Sequence, residues 1–263
     1  VFDLSLNSQY GFVLKMCRIP KRIGYNFKNR GRFLTHKQDL PGGFCGKHVA
    51  LYHLDLLRFL DKEPRIYGLD TSFSFGYEEQ KKAFADIDKD SLKVAVFPGS
   101  GDSWGGSAYF KRWPRDNFLN LCLEIREKLK AEVILLGSGS EKALCNDIAG
   151  SIPDRCFNFC AALDLEELCS LLLGCNLVIT NDGGPFHLGQ ALGIPTVGFF
   201  GPVDENVYGC FPGNEKCHVF KSDIGCRPCY YNFKFSGCHI DRRCLKDIGV
   251  GEVFDKIENL LSK

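Results

Sequence analysis

Leu177-Val178-Ile179-Thr180-Asn181-Asp182-Gly183-Gly184-Pro185-Phe186-His187 is the stretch whose reading decides the fold. Leu177 to Thr180 are apolar or β-branched and read as a strand buried on both faces. Two glycines then turn the chain, and Pro185 suits the start of a short helix running to Leu192. A buried strand that turns directly into a helix is the building unit of a parallel sheet. Backbone amides of Gly183 and Gly184 point outward at the helix start, where a phosphate is stabilised by unpaired N–H groups and the helix dipole. Asp182 can accept hydrogen bonds from sugar hydroxyls or from those amides; as plain structure it is an N-cap. His187, about one turn in, faces the same anion or packs on the helix.

Working outward, the same alternation repeats. Strands are expected at Lys93–Phe97, Glu132–Leu136, Phe157–Cys160 and Thr196–Phe200. Helices are expected at Arg115–Lys130, Glu141–Ala149 and Leu165–Leu173, the last opened by Asp164 with Glu167 as a capping box. Apolar strands separated by amphipathic helices predict an α/β, doubly wound, Rossmann-like domain over residues 93–263. It includes a Cys-rich loop at 210–244 and a C-terminal helix at Glu252–Leu261. Residues 1–76 also alternate: strand Val1–Ser5, helix Ser8–Cys17, strand Arg22–Tyr25, helix Lys47–Leu60. These are too few strands to close a sheet, so this part reads as an incomplete Rossmann-like domain. Residues 77–92 are polar and acidic and read as a linker. Asp88-Lys89-Asp90 within it looks like a metal-binding acid pair but is read as a solvated face.

Ligands of doubly wound sheets bind where strands give way to helices. After Phe97 comes Pro98-Gly99-Ser100-Gly101-Asp102-Ser103-Trp104-Gly105-Gly106-Ser107, then Lys111-Arg112-Trp113-Pro114. Its glycines and serines let backbone amides approach an anion. Lys111 lies just ahead of a helix N-terminus, and helix plus lysine make a diphosphate site that needs no metal. After Leu136, Gly137-Ser138-Gly139-Ser140-Glu141 places a carboxylate where it stabilises a helix start or holds ribose hydroxyls. Leu163 offers apolar contact to a base.

Taken in order, several segments resemble glycosyltransferase family 9, the ADP-heptose:lipopolysaccharide heptosyltransferases. They are Pro98-Gly99, Lys111-Arg112-Trp113-Pro114, Gly137 with Glu141, Leu165-Glu166-Glu167-Leu168, Asn181 to His187, and Ala191 to Pro202. The resemblance implies a GT-B fold of two Rossmann-like domains, the N-terminal one incomplete in this chain, and an inverting, metal-independent transfer. It implies Lys111 and Ser107 at the diphosphate, Asp182, Gly183, Gly184 and His187 at phosphate and sugar, Glu141 at the ribose and Leu163 at the base. The donor it implies is ADP-heptose or another nucleotide sugar. The acceptor is a lipid-linked saccharide of lipopolysaccharide-core type, met in the cytoplasm at the inner face of the membrane. Peripheral membrane contact follows. The family usually carries a hydroxyl residue where Gly183 stands. Its general base falls in the first strand–loop of the N-terminal domain, expected upstream of Val1, so no catalytic residue is assigned within the chain. A non-catalytic nucleotide-sugar-binding module and a GT-B sugar-nucleotide epimerase are the competing readings.

Net charge of +1 gives no electrostatic case for nucleic acid as partner. Among 14 cysteines, Cys122, Cys145, Cys169 and Cys175 sit in apolar helical patterns and read as small core residues of a reducing compartment. Cys226-Arg227-Pro228-Cys229, Cys238 and Cys244 admit a structural zinc, ordinary thiols or a disulfide. Cys210, Cys217, His218 and His239 are spare ligand candidates.

Overall fold

The computed structural model describes residues 1–66, 68–69, 87–88 and 90–262. Most of the expected linker, with Lys89 of the acid pair, therefore lies outside the described residues. The chain divides into two compact units. One comprises Val1–Tyr67, Asn206–Tyr208 and Tyr230–Phe235; the other comprises Gly68–Glu205, Gly209–Cys229 and Ser236–Lys263. The linear boundary expected from composition misses the two short returns to the first unit.

The first unit has a three-stranded parallel sheet, β1 (Phe2–Asp3), β2 (Ile23–Asn26) and β3 (His36–Asp39), in that order. Helix α1 (Ser8–Met16) starts where the Asn7 side chain accepts the Gln9 N–H at 3.0 Å. Strand β3 escaped the sequence reading because its residues are polar and mostly exposed. The single helix expected over 47–60 is helix α2 (Val49–Asp55) tightening into a 3₁₀ turn at Leu56–Leu60. Ile23, Tyr25, Leu40 and Leu56 form the core of this unit. Phe233, from the hairpin Tyr230–Phe235, packs edge-on against Phe27 and Phe44 at 4.9 and 5.5 Å between ring centres.

The second unit is built on six strands: β4 (Lys93–Phe97), β5 (Glu132–Leu135), β6 (Cys156–Asn158), β7 (Leu177–Asn181), β8 (Thr196–Phe199) and β9 (Cys217–Phe220). All pair in parallel, in the order β6-β5-β4-β7-β8-β9. The crossovers carry α3 (Arg115–Leu129), α4 (Lys142–Gly150), α5 (Leu165–Leu173) and α6 (Gly184–Ala191), and α7 (Arg243–Lys246) and α8 (Val250–Leu261) follow. Strand periodicity splits the core in two. Val94, Val96, Val133 and Leu135 face Phe118, Ile125, Ile148 and Phe254 on one side; Ala95, Phe97 and Ile134 face Leu171, Leu172 and Ile194 on the other. Cys122, Cys145, Cys169 and Cys175 are buried in these layers, as the helical pattern implied. The Asp164–Glu167 capping box forms, each side chain accepting from the other's backbone at 2.8–3.0 Å. Edge strand β9 was not legible in sequence, since its half-buried mixture of Cys217, His218, Val219 and Phe220 lacks an apolar signature.

Strand order reverses between β4 and β7, which are neighbours although three crossovers separate them in sequence. The chain leaves β4 in one direction and returns through β7 in the other. Loops at their carboxyl ends must splay apart there, and the crevice they leave is where such sheets bind ligands.

Candidate functional site

A cavity of about 290 Å³ occupies that crevice. Its walls come from the loops after four adjacent strands: Gly99, Ser100 and Gly101 after β4, Gly137 and Ser138 after β5, Leu163 after β6, and Gly183 and Pro185 after β7. Phe97, Leu136, Phe159 and Leu168 give the lining apolar surface, and Glu141 and Asn181 add polar groups to it.

Lys111 and Asp182 meet beside this crevice. The Lys111 ammonium donates to Asp182 Oδ2 at 2.8 Å, with only 6% and 9% of the two side chains exposed. A buried ion pair of this kind is held by geometry: removing either partner leaves an uncompensated charge. The Lys111 ammonium also lies 5.0 Å from the centre of the Trp104 ring. The glycine-rich loop and the Asn181–Gly184 turn, 70 residues apart in sequence, thus share one site.

Two residues hold that arrangement together. Asn181, fully buried, donates through Nδ2 to the carbonyls of Pro98 and Gly99 at 3.0 and 2.7 Å. Its Oδ1 accepts the Trp113 N–H at 2.7 Å, so one side chain ties the ends of the glycine-rich loop to β7. Trp113 is locked in turn: its ring stacks on Phe199 at 4.2 Å and its indole N–H donates to the Ile248 carbonyl at 3.2 Å. Glu141 is the second clamp. One carboxylate oxygen accepts the Gly101 N–H at 2.8 Å; the other accepts the Ser138 N–H at 2.8 Å and the Ser138 hydroxyl at 3.2 Å. A Cβ on Gly99 would lie 1.8 Å from Glu141 Oε1, so only glycine fits beside this carboxylate.

The sequence-predicted residues separate into three groups. Glu141, Leu163 and Gly183 line the cavity; Lys111 and Asp182 form the ion pair at its edge. Gly184 opens α6; Pro185, next in line, has no N–H, and the Phe186 N–H donates to the Gly183 carbonyl at 3.2 Å, so the Gly183 and Gly184 amides are the donors this turn can offer an anion. Ser107, half-buried on the 3₁₀ turn Gly105–Lys111, and His187, exposed on the first turn of α6, are not among the lining residues. Gly183 is extended (φ 166°), a conformation open to any residue. Sequence reasoning read Asn181 only as part of a motif and assigned Arg112 no role. The Arg112 Nε donates to the Ser100 hydroxyl at 3.2 Å and its guanidinium lies 3.9 Å from Glu141. Asn181 could have been found by asking what satisfies the buried carbonyls of a Pro-Gly turn.

The cysteines need correction. Cys210 and Cys217 form a disulfide, which removes both as metal-ligand candidates. Among the described residues, no three or more His, Cys, Asp or Glu side chains are gathered closely enough to hold a metal. Cys226 is exposed, Cys229 and Cys238 half-buried and Cys244 buried, and the Cys238 sulfur accepts the Arg242 N–H at 3.1 Å.

A six-stranded parallel sheet, wound in both directions from a glycine-lined switch point, and a second parallel sheet in a separate unit define the Rossmann-like class of which GT-B proteins are made. Within that class, the chain belongs to glycosyltransferase family 9 (heptosyltransferase), whose pattern matches residues 3–238. It is 29% identical over 166 residues to lipooligosaccharide heptosyltransferase 2 of Campylobacter jejuni, covering 61% of this chain and 49% of that protein. To lipooligosaccharide heptosyltransferase 2 of Haemophilus influenzae it is 30% identical over 202 residues, covering 73% and 57%. The chain thus spans about half the length of the curated relatives it matches. In fold it is similar to the solved E. coli ADP-heptose lipopolysaccharide heptosyltransferase II (TM-score 0.75, 18% identity, 99% of this chain and 76% of that one). It is also similar to a glycosyl transferase family 9 protein from Veillonella parvula (TM-score 0.78, 20% identity, 100% and 73%).

Proposed function

We propose that the second unit binds a nucleotide-sugar donor, ADP-heptose by default. On this reading the protein transfers the sugar, with inversion and without a metal, to a lipopolysaccharide-core or related saccharide acceptor. The observation that carries the reading is the buried Lys111–Asp182 pair beside a cavity lined by two glycine turns. In an inverting displacement the acceptor oxygen forms its bond to the anomeric carbon as the carbon–oxygen bond to the diphosphate breaks. The leaving diphosphate gains negative charge at that moment. Lys111 and the amides of the Gly183–Gly184 turn would meet this charge with donors already in place. Asp182 keeps the ammonium aimed and is free through its other oxygen to take a sugar hydroxyl.

Nucleoside and sugar follow the walls. The apolar residues Phe159, Leu163 and Leu168 suit a base, and Glu141, which braces two loops, would take the ribose. No residue of this chain is assigned as the base that deprotonates the acceptor. No helix among the described residues is long and apolar enough to cross a membrane. By likeness to the family, a lipid-linked acceptor would be met at the inner face of the cytoplasmic membrane, by peripheral contact.

Calorimetric titration of ADP, UDP and GDP, each with and without EDTA, tests the donor assignment. Binding of ADP that survives chelation is expected, with weaker binding of the other two. If no nucleoside diphosphate binds, the reading fails.

A further inference from the structure

Arg242 lies within the Cys-rich segment, between Cys238 and Cys244, far in sequence from every loop of the cavity, and only 5% of it is exposed. Among the described residues its guanidinium pairs with no carboxylate. Burying a cation without a counter-charge is costly unless its donors are used. Both terminal nitrogens are used, on one target, while the buried Nε makes no hydrogen bond among the described residues. Nη1 donates to the Tyr109 carbonyl at 3.2 Å and to the Arg112 carbonyl at 2.8 Å, and Nη2 donates to the Tyr109 hydroxyl. The guanidinium carbon sits 3.6 Å over the Tyr109 ring.

The two carbonyls flank Lys111. They belong to the C-terminal end of the 3₁₀ turn Gly105–Lys111, where carbonyls point away from the turn and favour a cation. Arg242 therefore grips the backbone on both sides of the lysine. Its own backbone is held from behind, since the Cys238 sulfur accepts its N–H and it adopts a left-handed conformation (φ 57°) just before α7. We infer that Arg242 is a positioning residue for Lys111: the Cys-rich segment delivers a guanidinium that fixes the turn from which the lysine reaches the diphosphate. This inference rests on the donor-site reading above. It also gives the cysteine-bearing segment a task that does not involve a metal.

The test is a double-mutant cycle on the full chain, with ADP affinity measured by calorimetry for wild type, Arg242→Ala, Lys111→Ala and the double variant. Thermal unfolding is followed in parallel. Arg242→Ala is expected to weaken ADP binding about tenfold, roughly the value of one well-placed charge-assisted bond. In the Lys111→Ala background the same change should cost less than about twofold, because the lysine it positions is gone. A purely structural role would cost the same factor in both backgrounds, which overturns the inference while leaving the donor site intact. Wild-type affinity in a folded Arg242→Ala protein also overturns it. If Lys111→Ala itself leaves ADP affinity unchanged, the donor-site reading falls and this inference with it. Should Arg242→Ala fail to fold, Arg242→Lys, which keeps the charge but cannot span both carbonyls, runs through the same cycle with the same criteria.

Discussion

Replacing Gly99 by alanine adds one methyl group where the Glu141 carboxylate already stands. That carbon would sit 1.8 Å from Oε1, 2.0 Å from the carboxyl carbon and 2.7 Å from Cγ. Ordinary contacts between such atoms are about 3.5 Å or more, so the carboxylate must leave. Leaving breaks its bonds to the Gly101 and Ser138 amides, both 2.8 Å long. Hydrogen bonds to a charged group contribute roughly 1.5–3 kcal/mol each. The displaced carboxylate regains some hydration, because the cavity it lines opens to water. A net loss of about 3 kcal/mol is therefore expected, read as a lower midpoint in urea with an unchanged slope. ADP affinity should fall at least tenfold, since the two loops lose their common brace. Glu141→Ala in the Gly99→Ala protein should then cost much less than Glu141→Ala alone, as its bonds are already broken. Wild-type stability of Gly99→Ala, or strict additivity of the pair, would refute the reasoning.

Asn181→Leu should cost roughly 3–5 kcal/mol, since the Pro98 and Gly99 carbonyls and the Trp113 N–H all lose their partner inside the protein; denaturant unfolding checks this, and a loss below about 1 kcal/mol contradicts it. Gly183→Thr should fold normally, because a Cβ there meets nothing closer than 3.8 Å and the backbone is extended. Its hydroxyl should tighten ADP binding by about two- to tenfold, whereas weakened binding by calorimetry would mean that the turn does not face the diphosphate. Glu205 accepts from Lys221 at 2.6 Å and Arg227 at 2.9 Å. Burial by itself would raise its pKa, but these partners prevail and hold it below the ordinary glutamate value of 4.5. Its contribution is thus complete above that value and is lost as pH falls through the depressed one. Glu205→Gln should cost roughly 1–2 kcal/mol at pH 7 and progressively less as the pH is lowered below 4.5, as thermal melts across an acid pH series would show; a cost that does not change with pH would contradict the pairing.

Local pattern was enough for the inner strands and helices of the second unit. Apolar strands such as Leu177–Thr180 and amphipathic helices such as Leu165–Leu173 carry their burial in their own sequence, and glycine turns after strands mark where a parallel sheet opens. From that alone the wound sheet, the anion-type loops and the candidacy of Lys111, Asp182 and Gly183 could be argued. Polar or edge elements such as β3 and β9 could not, because strands that bury little carry little signal. What only the tertiary structure decided were relations between residues distant in the chain. Asn181 reaches Pro98, Glu141 reaches Gly101, Arg242 reaches Tyr109 and Arg112, and Cys210 bonds to Cys217. A hydrogen bond or ion pair depends on three-dimensional distance, whereas sequence periodicity reports only which side of a segment faces the core.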